Sequence, residues 1–308
     1  MFKGYDLIII GGGAAGLTSA IYAGRARLKT LLIEKLSCGG IASTTDLIEN
    51  YPGYLDGISG GSLMEKFEHQ AKKWGAEIVF EEVKDVEMDG EKKIVKTNKG
   101  VYEALSLIIA TGSIPKRLGV PGEDRFRGRG VSYCATCDGP LFKDKDIVVV
   151  GCGNSGMQEG LFLLKFVRSI TFVEFLPYII AEKVLQERVS THKNVRFYLN
   201  HTVLSIDGKD MVESVRIRDR KTGEERDIPA KGVFVYVGFS PQTDFLKGKL
   251  KVDEQGYIIT DKNLETSVQG VFAAGDVVKK PLRQIATAVG DGALAAFMAE
   301  RYIEGRRH

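Results

Sequence analysis

The chain has 308 residues, 44% hydrophobic and 27% charged, with 43 Lys and Arg against 40 Asp and Glu for a net charge of +3. These proportions exclude a disordered or fibrous chain and leave room for one large or two medium domains. The basic residues are scattered, so no nucleic-acid surface is marked, and the Arg306-Arg307 tail reads as a solvated terminus.

The first apolar run, residues 7–10, is too short to cross a bilayer and meets Gly11-Gly12-Gly13 rather than a cleavage site. No membrane helix or signal peptide is read there. Residues 5–10 predict a strand, Gly11-Gly12-Gly13-Ala14-Ala15-Gly16 a tight turn, and Leu17, Ala20, Ile21 and Gly24 recur at helical spacing. Residues 30–33 give a second strand that ends in Glu34. Residues 82–107 read as a β-meander, and residues 107–110 as an apolar strand closing on Thr111-Gly112. Pro115 then breaks regular structure.

The same unit recurs. Residues 146–150 predict a strand that meets Gly151-Cys152-Gly153-Asn154-Ser155-Gly156, followed by Met157, Leu161 and Leu164 at helical spacing. Residues 170–173 form the next strand, ending in Glu174; Gly11 to Glu34 and Gly151 to Glu174 both span 23 positions. A second meander over 203–228 turns at Thr222-Gly223, and an apolar strand at 233–237 closes on Gly238, with Pro241 beyond. After it come a strand and turn at 271–276 and a helix over 285–303, which the simplest account returns to the first domain. The expected fold class is α/β: two Rossmann-like three-layer dinucleotide-binding domains, the second inserted in the first, each with a β-meander. The boundaries are set at 1–114, 115–245 and 246–308.

A dinucleotide carries a charged pyrophosphate, and a helix N-terminus offers unpaired N–H groups and the favourable end of a dipole. The first glycine permits the turn, the second clears space for the phosphate, the third lets helix and strand pack, and the distal acid takes the ribose hydroxyls. One such motif is weak; two with strand, helix and acid in register point to a flavin and a nicotinamide in one chain. Glu174 sits where a 2′-phosphate would be repelled, and Phe175-Leu176-Pro177 adds no cation, so NADH is expected over NADPH. The rival reading has Glu174 cap a strand while Lys183 or Arg188 reaches the phosphate.

Tyr133-Cys134-Ala135-Thr136-Cys137-Asp138-Gly139-Pro140 carries two cysteines that can close a small, reversible disulfide loop, with Asp138 beside them as a proton donor. The competing reading is half of a zinc site, but Cys38 and Cys152 stand alone, and His69, His192, His201 and His308 lack ligand spacing. No metal is expected. Four cysteines are too few for a secreted scaffold, so a reducing, cytoplasmic setting is expected. Cys38 and Cys152 read as buried small residues, and Trp74 as core or interface packing.

These motifs, together with Glu49-Asn50-Tyr51-Pro52-Gly53, Ala110-Thr111-Gly112, Gly275-Asp276 and Arg283-Gln284-Ile285, closely resemble the low-molecular-weight thioredoxin reductases over nearly the whole chain. In the glutathione reductase and lipoamide dehydrogenase relatives the redox cysteines follow the first glycine loop, where this chain has only Cys38. The resemblance implies a homodimer with FAD in 1–114 and 246–308 and a nicotinamide domain between, swinging so that the flavin meets either donor or disulfide. Around FAD it implies Gly11, Gly13, Ala14, Ala15, Gly16, Glu34, Lys35, Gly39, Gly40, Ile41, Asn50 and Val83. It adds Ala110, Thr111, Gly112, Gly275, Asp276, Arg283, Gln284 and Ile285. Around the nicotinamide it implies Gly151, Gly153, Asn154, Ser155, Gly156, Glu174 and Gly238.

By the same resemblance Cys137 faces the flavin, Cys134 exchanges with thioredoxin and Asp138 protonates the outgoing thiolate. Two positions depart from the family: Ile41 replaces a glutamine, and Glu174-Phe175-Leu176 replaces the His-Arg-Arg of NADPH users. The partner surface bears no motif, so a glutaredoxin-like or peroxidase-linked dithiol protein stays open, as does a slow flavin redox sensor. The intact 151–156 loop counts against a ferredoxin-fed enzyme.

Overall fold

Leu7, Ile8, Ile9 and Ile10 have no polar face, and such a strand is stable only with both faces covered. In the computed structural model, which describes residues 3–246 and 248–307, they are the buried half of β1 (Lys3–Ile10). α1 (Ala14–Arg25), β2 (Thr30–Glu34), α2 (Gly60–Lys73) and β3 (Glu77–Phe80) follow, and β1, β2 and β3 pair in parallel. Next come β4 (Val83–Glu87), β5 (Lys93–Thr97) and β6 (Val101–Ile109), giving the order β3-β2-β1-β6-β5-β4.

The first meander is not separate from the closing strand, as the sequence had suggested; β6 is both. Its first half pairs antiparallel with β5 (Ile94↔Glu103), and its whole length runs parallel to β1. The burial along it explains the merger: residues 101–103 keep solvent contact while 106–109 are fully buried. One strand can therefore begin as the edge of a hairpin and end inside a covered parallel sheet.

The chain leaves this unit at β7 (Ser113–Pro115) and builds a second: β8 (Val131–Ser132), α3 (Ala135–Asp138), β9 (Asp146–Val150), α4 (Asn154–Leu163), β10 (Ser169–Glu174), α5 (Lys183–Ser190) and β11 (Val195–Leu199). Here the meander does stand apart, as the antiparallel sheet β12 (His201–Asp207), β13 (Ser214–Asp219) and β14 (Glu225–Pro229). β15 (Gly232–Val235) then enters the parallel sheet, ordered β11-β10-β9-β15-β8.

The chain returns through β16 (Phe239–Pro241) to the first unit, where β17 (Val271–Ala273) pairs with the second half of β6 and α6 (Ile285–Arg307) lies on α1. Gly292 allows that approach, since a Cβ there would stand 2.3 Å from the Ala15 carbonyl oxygen, and Ser19 Oγ donates to the Gly292 carbonyl at 2.9 Å. The fold is thus two Rossmann-like α/β units, the second inserted in the first: Met1–Ile114 with Ser240–His308, and Pro115–Phe239.

The return falls at Ser240, before the 246 taken from sequence. The Gln242 N–H donates to the Gly112 carbonyl at 3.0 Å, its side chain donates to the Thr111 carbonyl at 3.0 Å, and Thr111 Oγ1 donates back to the Gln242 carbonyl at 2.8 Å. That exchange ties the segment to the first unit. Among the described residues no helix is long and apolar enough to cross a membrane. His308 lies outside the described residues.

Candidate functional site

The two glycine loops have the same local construction. Gly11 (φ +109) and Gly151 (φ +104) adopt a backbone that other residues rarely take, and a Cβ on either would stand 2.3 Å or 2.2 Å from a carbonyl oxygen of the neighbouring strand end. Gly16 and Gly156 hold helix against loop: a Cβ there would fall 1.9 Å and 2.0 Å from the Gly11 and Gly151 carbonyl oxygens. Gly13, by contrast, faces open space, and Gly153 meets only Ile180 at 3.8 Å. α1 and α4 begin right after these open glycines without a side-chain cap, which leaves first-turn N–H groups for an anion.

The distal acids close the motif. Glu34 Oε2 accepts the Gly12 N–H at 2.7 Å, and Glu174 Oε2 accepts the Cys152 N–H at 2.6 Å. Their other oxygens accept N–H groups just beyond the strand, from Lys35 at 2.7 Å and from Leu176 at 3.0 Å. Each carboxylate oxygen has a second lone-pair site, so both acids can still receive ribose hydroxyls.

Around the first loop, the Gly39 N–H donates to the Gly12 carbonyl at 2.7 Å, and Gly40 and Ile41 open the short 3-10 turn Gly40–Thr44. Asn50 Nδ2 donates to Gln284 Oε1 at 3.2 Å, which joins two predicted residues from opposite ends of the chain. Ala110 donates its N–H to the Ile10 carbonyl, so 110–112 leave the sheet beside the first loop. Gly275 (φ +80) would bring a Cβ within 2.8 Å of Ala15 Cβ, which sets Asp276 against the start of α1.

Asp276 Oδ1 is buried with no hydrogen-bond partner among the described residues, and burial lifts its carboxyl above the usual range while Lys280 and Arg283 pull it down. An orphaned buried acceptor of this kind suits a hydroxyl-bearing ligand. Arg283 also has a buried, unpartnered Nε, with its guanidinium 3.9 Å from the Tyr257 ring centroid. Ile285 begins α6. Two predicted positions are not gathered into this cluster: Lys35 points its amine at Glu82 (3.0 Å), and Val83 packs with the core on the other side of the sheet.

At the second loop the Asn154 side chain is exchanged with Glu182, donating at 2.9 Å and accepting its N–H at 2.8 Å. Ser155 occupies the first turn of α4, and Gly238 (φ +105) accepts the Lys116 N–H at 2.9 Å. Lys183 opens α5 and Arg188 lies in its last turn. The cation tied to the segment after Glu174 is one that sequence did not single out. Arg220 Nη1 donates to the Phe175 carbonyl at 2.9 Å, and its guanidinium lies 3.5 Å from the Phe175 ring centroid. It comes from the end of the β13 hairpin, so no motif around Glu174 could have flagged it.

Cys134 and Cys137 form a disulfide with Cα atoms 5.4 Å apart, at the single turn α3. The Cys137 N–H points at Cys134 Sγ (3.2 Å), an arrangement that also favours a thiolate there after reduction. Cys137 is exposed, whereas Cys134 and Asp138 are half-buried. Asp138 Oδ2 is held at 2.6 Å by Ser132, a second residue that sequence did not single out. Tyr236, at the end of β15, has a buried hydroxyl without a partner among the described residues, and burial raises its phenol.

Cys38 and Cys152 are free. Burial, reinforced by the negative charges of Glu68 and Glu34, pushes the Cys38 thiol up to about 12, and burial with Glu174 does the same to Cys152. A thiol so shifted exposes almost no thiolate at pH 8, and the thiolate is the nucleophile. Iodoacetamide at pH 8 is therefore expected to label Cys134 and Cys137 in the reduced protein and to spare the other two. Peptide mass mapping checks this, and labelling of Cys38 or Cys152 at a comparable rate would contradict it.

Two acid-closed glycine loops in separate units, with a disulfide of two-residue spacing in one of them, define the class: the chain belongs to the pyridine nucleotide-disulphide oxidoreductases, whose family profile matches residues 5–292. Within that class, thioredoxin reductases are among its relatives. It is 44% identical over 306 residues to the thioredoxin reductase of Peptoclostridium acidaminophilum, covering 97% of both chains. It is also 44% identical over 303 residues to that of Bacillus subtilis (strain 168), covering 98% of this chain and 96% of the relative. The crystal structure of Lactococcus lactis thioredoxin reductase superposes with a TM-score of 0.96 at 39% identity, over 98% of this chain and 99% of that one.

Proposed function

We infer that this chain is an NAD(P)H-dependent thioredoxin-disulfide reductase, carrying electrons from a nicotinamide through FAD and the Cys134/Cys137 pair to thioredoxin or a similar small dithiol protein. The observation that carries the reading is the Cys134–Cys137 disulfide, with the acid Asp138 beside it, in the unit that bears the second glycine loop. The first unit fits FAD. Gly13 and the uncapped start of α1 suit the pyrophosphate, Glu34 the adenosine ribose, and the orphaned Asp276 oxygen a hydroxyl of the flavin chain. Asn50, Gln284, Thr111, Gly112, Gly39 and Gly40 complete the set of residues assigned to it. Bound FAD supplies the two-electron exchange between nicotinamide and disulfide.

The second unit is assigned to the nicotinamide, with Gly151, Gly153, Ser155 and Gly156 at the pyrophosphate, Glu174 at the ribose and Gly238 at the far rim. Cys137 is the sulfur assigned to receive electrons, Cys134 the one that exchanges with the partner, and Asp138 the proton donor to the outgoing thiolate. Homodimerisation and a cytoplasmic setting go with this reading.

Glu174 is 7% exposed and fixed at both oxygens, so it cannot swing away from a 2′-phosphate. Like-charge repulsion then favours NADH, with kcat/KM expected about tenfold or more above NADPH. Anaerobic titration of the flavin band with each donor, followed by turnover with thioredoxin, tests both parts. Bleaching by neither donor would remove the nicotinamide assignment; bleaching without thioredoxin reduction would favour another dithiol partner. Equal efficiency with the two donors would remove the preference.

A further inference from the structure

We propose that Ser132 is the positioning residue of the proton donor: its hydroxyl engages Asp138 Oδ2, so that Oδ1 is the oxygen from which the proton leaves. The proposal rests on the reading above that Asp138 protonates an outgoing thiolate.

Ser132 is 5% exposed and ends β8, which pairs with β15 in the register Phe234↔Ser132. Its Oγ donates to Asp138 Oδ2 at 2.6 Å and accepts the Cys134 N–H at 3.1 Å. The Cys134 carbonyl, at 3.2 Å, is a second acceptor in reach, and it also receives the Asp138 N–H at 3.2 Å. One hydroxyl has one proton, and the contact to Asp138 Oδ2 at 2.6 Å is much the shorter of the two.

The result is a chain from the Cys134 N–H through the Ser132 hydroxyl to Asp138 Oδ2, in which each bond polarises the next. Asp138 itself closes a single helical turn, which gives a side chain little rigidity, while Ser132 is fixed by a sheet. The hydroxyl passes that rigidity to the acid. With Oδ2 occupied, Oδ1 is left to carry and give the proton.

In the reduced site the Cys134 thiolate attacks the acceptor disulfide. A Cys134–acceptor S–S bond forms, the acceptor S–S bond breaks, and the departing thiolate takes the proton from Asp138 Oδ1. Cys137 then attacks the mixed disulfide, the Cys134–Cys137 bond closes, and the second acceptor sulfur leaves with the proton that Cys137 gives up. The acceptor gains two electrons and two protons; the cysteine pair loses two electrons, and Asp138 and Cys137 lose one proton each. The serine proton is not transferred. A departing alkyl thiolate is basic and needs the acid, whereas a nitro-substituted aromatic thiolate leaves readily without it.

The test compares wild type, Ser132→Ala and Asp138→Asn, each reduced beforehand and mixed in stopped flow with a cystine-bridged peptide or with dithiobis(nitrobenzoate). In Ser132→Ala the ratio of peptide rate to aromatic rate is expected to fall roughly tenfold, and in Asp138→Asn by more, within the range that general acid catalysis contributes. A merely structural serine would slow both acceptors alike and leave the ratio unchanged. That outcome, with the ratio still falling in Asp138→Asn, overturns the role of Ser132 alone. An unchanged ratio in Asp138→Asn overturns the acid assignment on which the proposal stands.

Discussion

Replacing Cys137 with serine is expected to lower thioredoxin reduction by on the order of 10³-fold or more, while the flavin is still bleached by the nicotinamide. A hydroxyl cannot close a disulfide with Cys134, so the intramolecular step that releases the partner is lost. Cys134 keeps its place because its position does not depend on the missing sulfur: it is set by β8 and by the Cys134 N–H bond to Ser132 at 3.1 Å. The variant should therefore stall as a mixed disulfide with the acceptor, visible by mass spectrometry under non-reducing conditions. Turnover near wild type would show that the electrons take another route and would remove the cysteine pair from the mechanism.

Gly156→Ala should abolish the use of the nicotinamide donor, with kcat/KM down by about two orders of magnitude or more, and leave FAD bound. The added methyl would stand 2.0 Å from the Gly151 carbonyl oxygen and 3.0 Å from its carbon, and both are main-chain atoms that cannot rotate away. Helix α4 would have to move off the loop, and the uncapped N–H groups assigned to the pyrophosphate would go with it. The bound flavin should still be reducible chemically, because the first loop belongs to the other unit.

Gly16→Ala, with its methyl 1.9 Å from the Gly11 carbonyl oxygen, is the counterpart in the first unit and should cost the flavin itself. Gly153→Ala offers a gentler contrast. Its nearest neighbour is Ile180 at 3.8 Å, so the fold accepts the methyl and only the ligand meets it. Absorbance of the bound flavin and rapid-mixing kinetics separate these cases; loss of FAD in Gly156→Ala would show that the two units are not independent sites.

Much of this was legible in the chain because a tight turn constrains residue types locally. Gly16 and Gly156 are required by main-chain distances within a few residues, Gly11 and Gly151 by the positive φ of the turn itself, and Glu34 and Glu174 must follow at the length of one helix and one strand. The cysteine turn is likewise local, closed over three positions. The β6 strand was harder, since its two halves look like separate elements until β5 and β17 are seen to share its edge.

The sequence by itself therefore determined the two dinucleotide loops, their acids, the redox pair and the α/β class, all of which are written in short-range spacing. Only the tertiary structure decided which side chains complete them: Ser132 against Asp138 six residues on, and, from farther along the chain, Arg220 against Phe175, Gln242 against Thr111 and Asn50 against Gln284. A polar side chain takes whichever donor or acceptor the packing brings near, and no local propensity records that choice. The residues that hold Asp138 and set the return to the first unit are of this second kind.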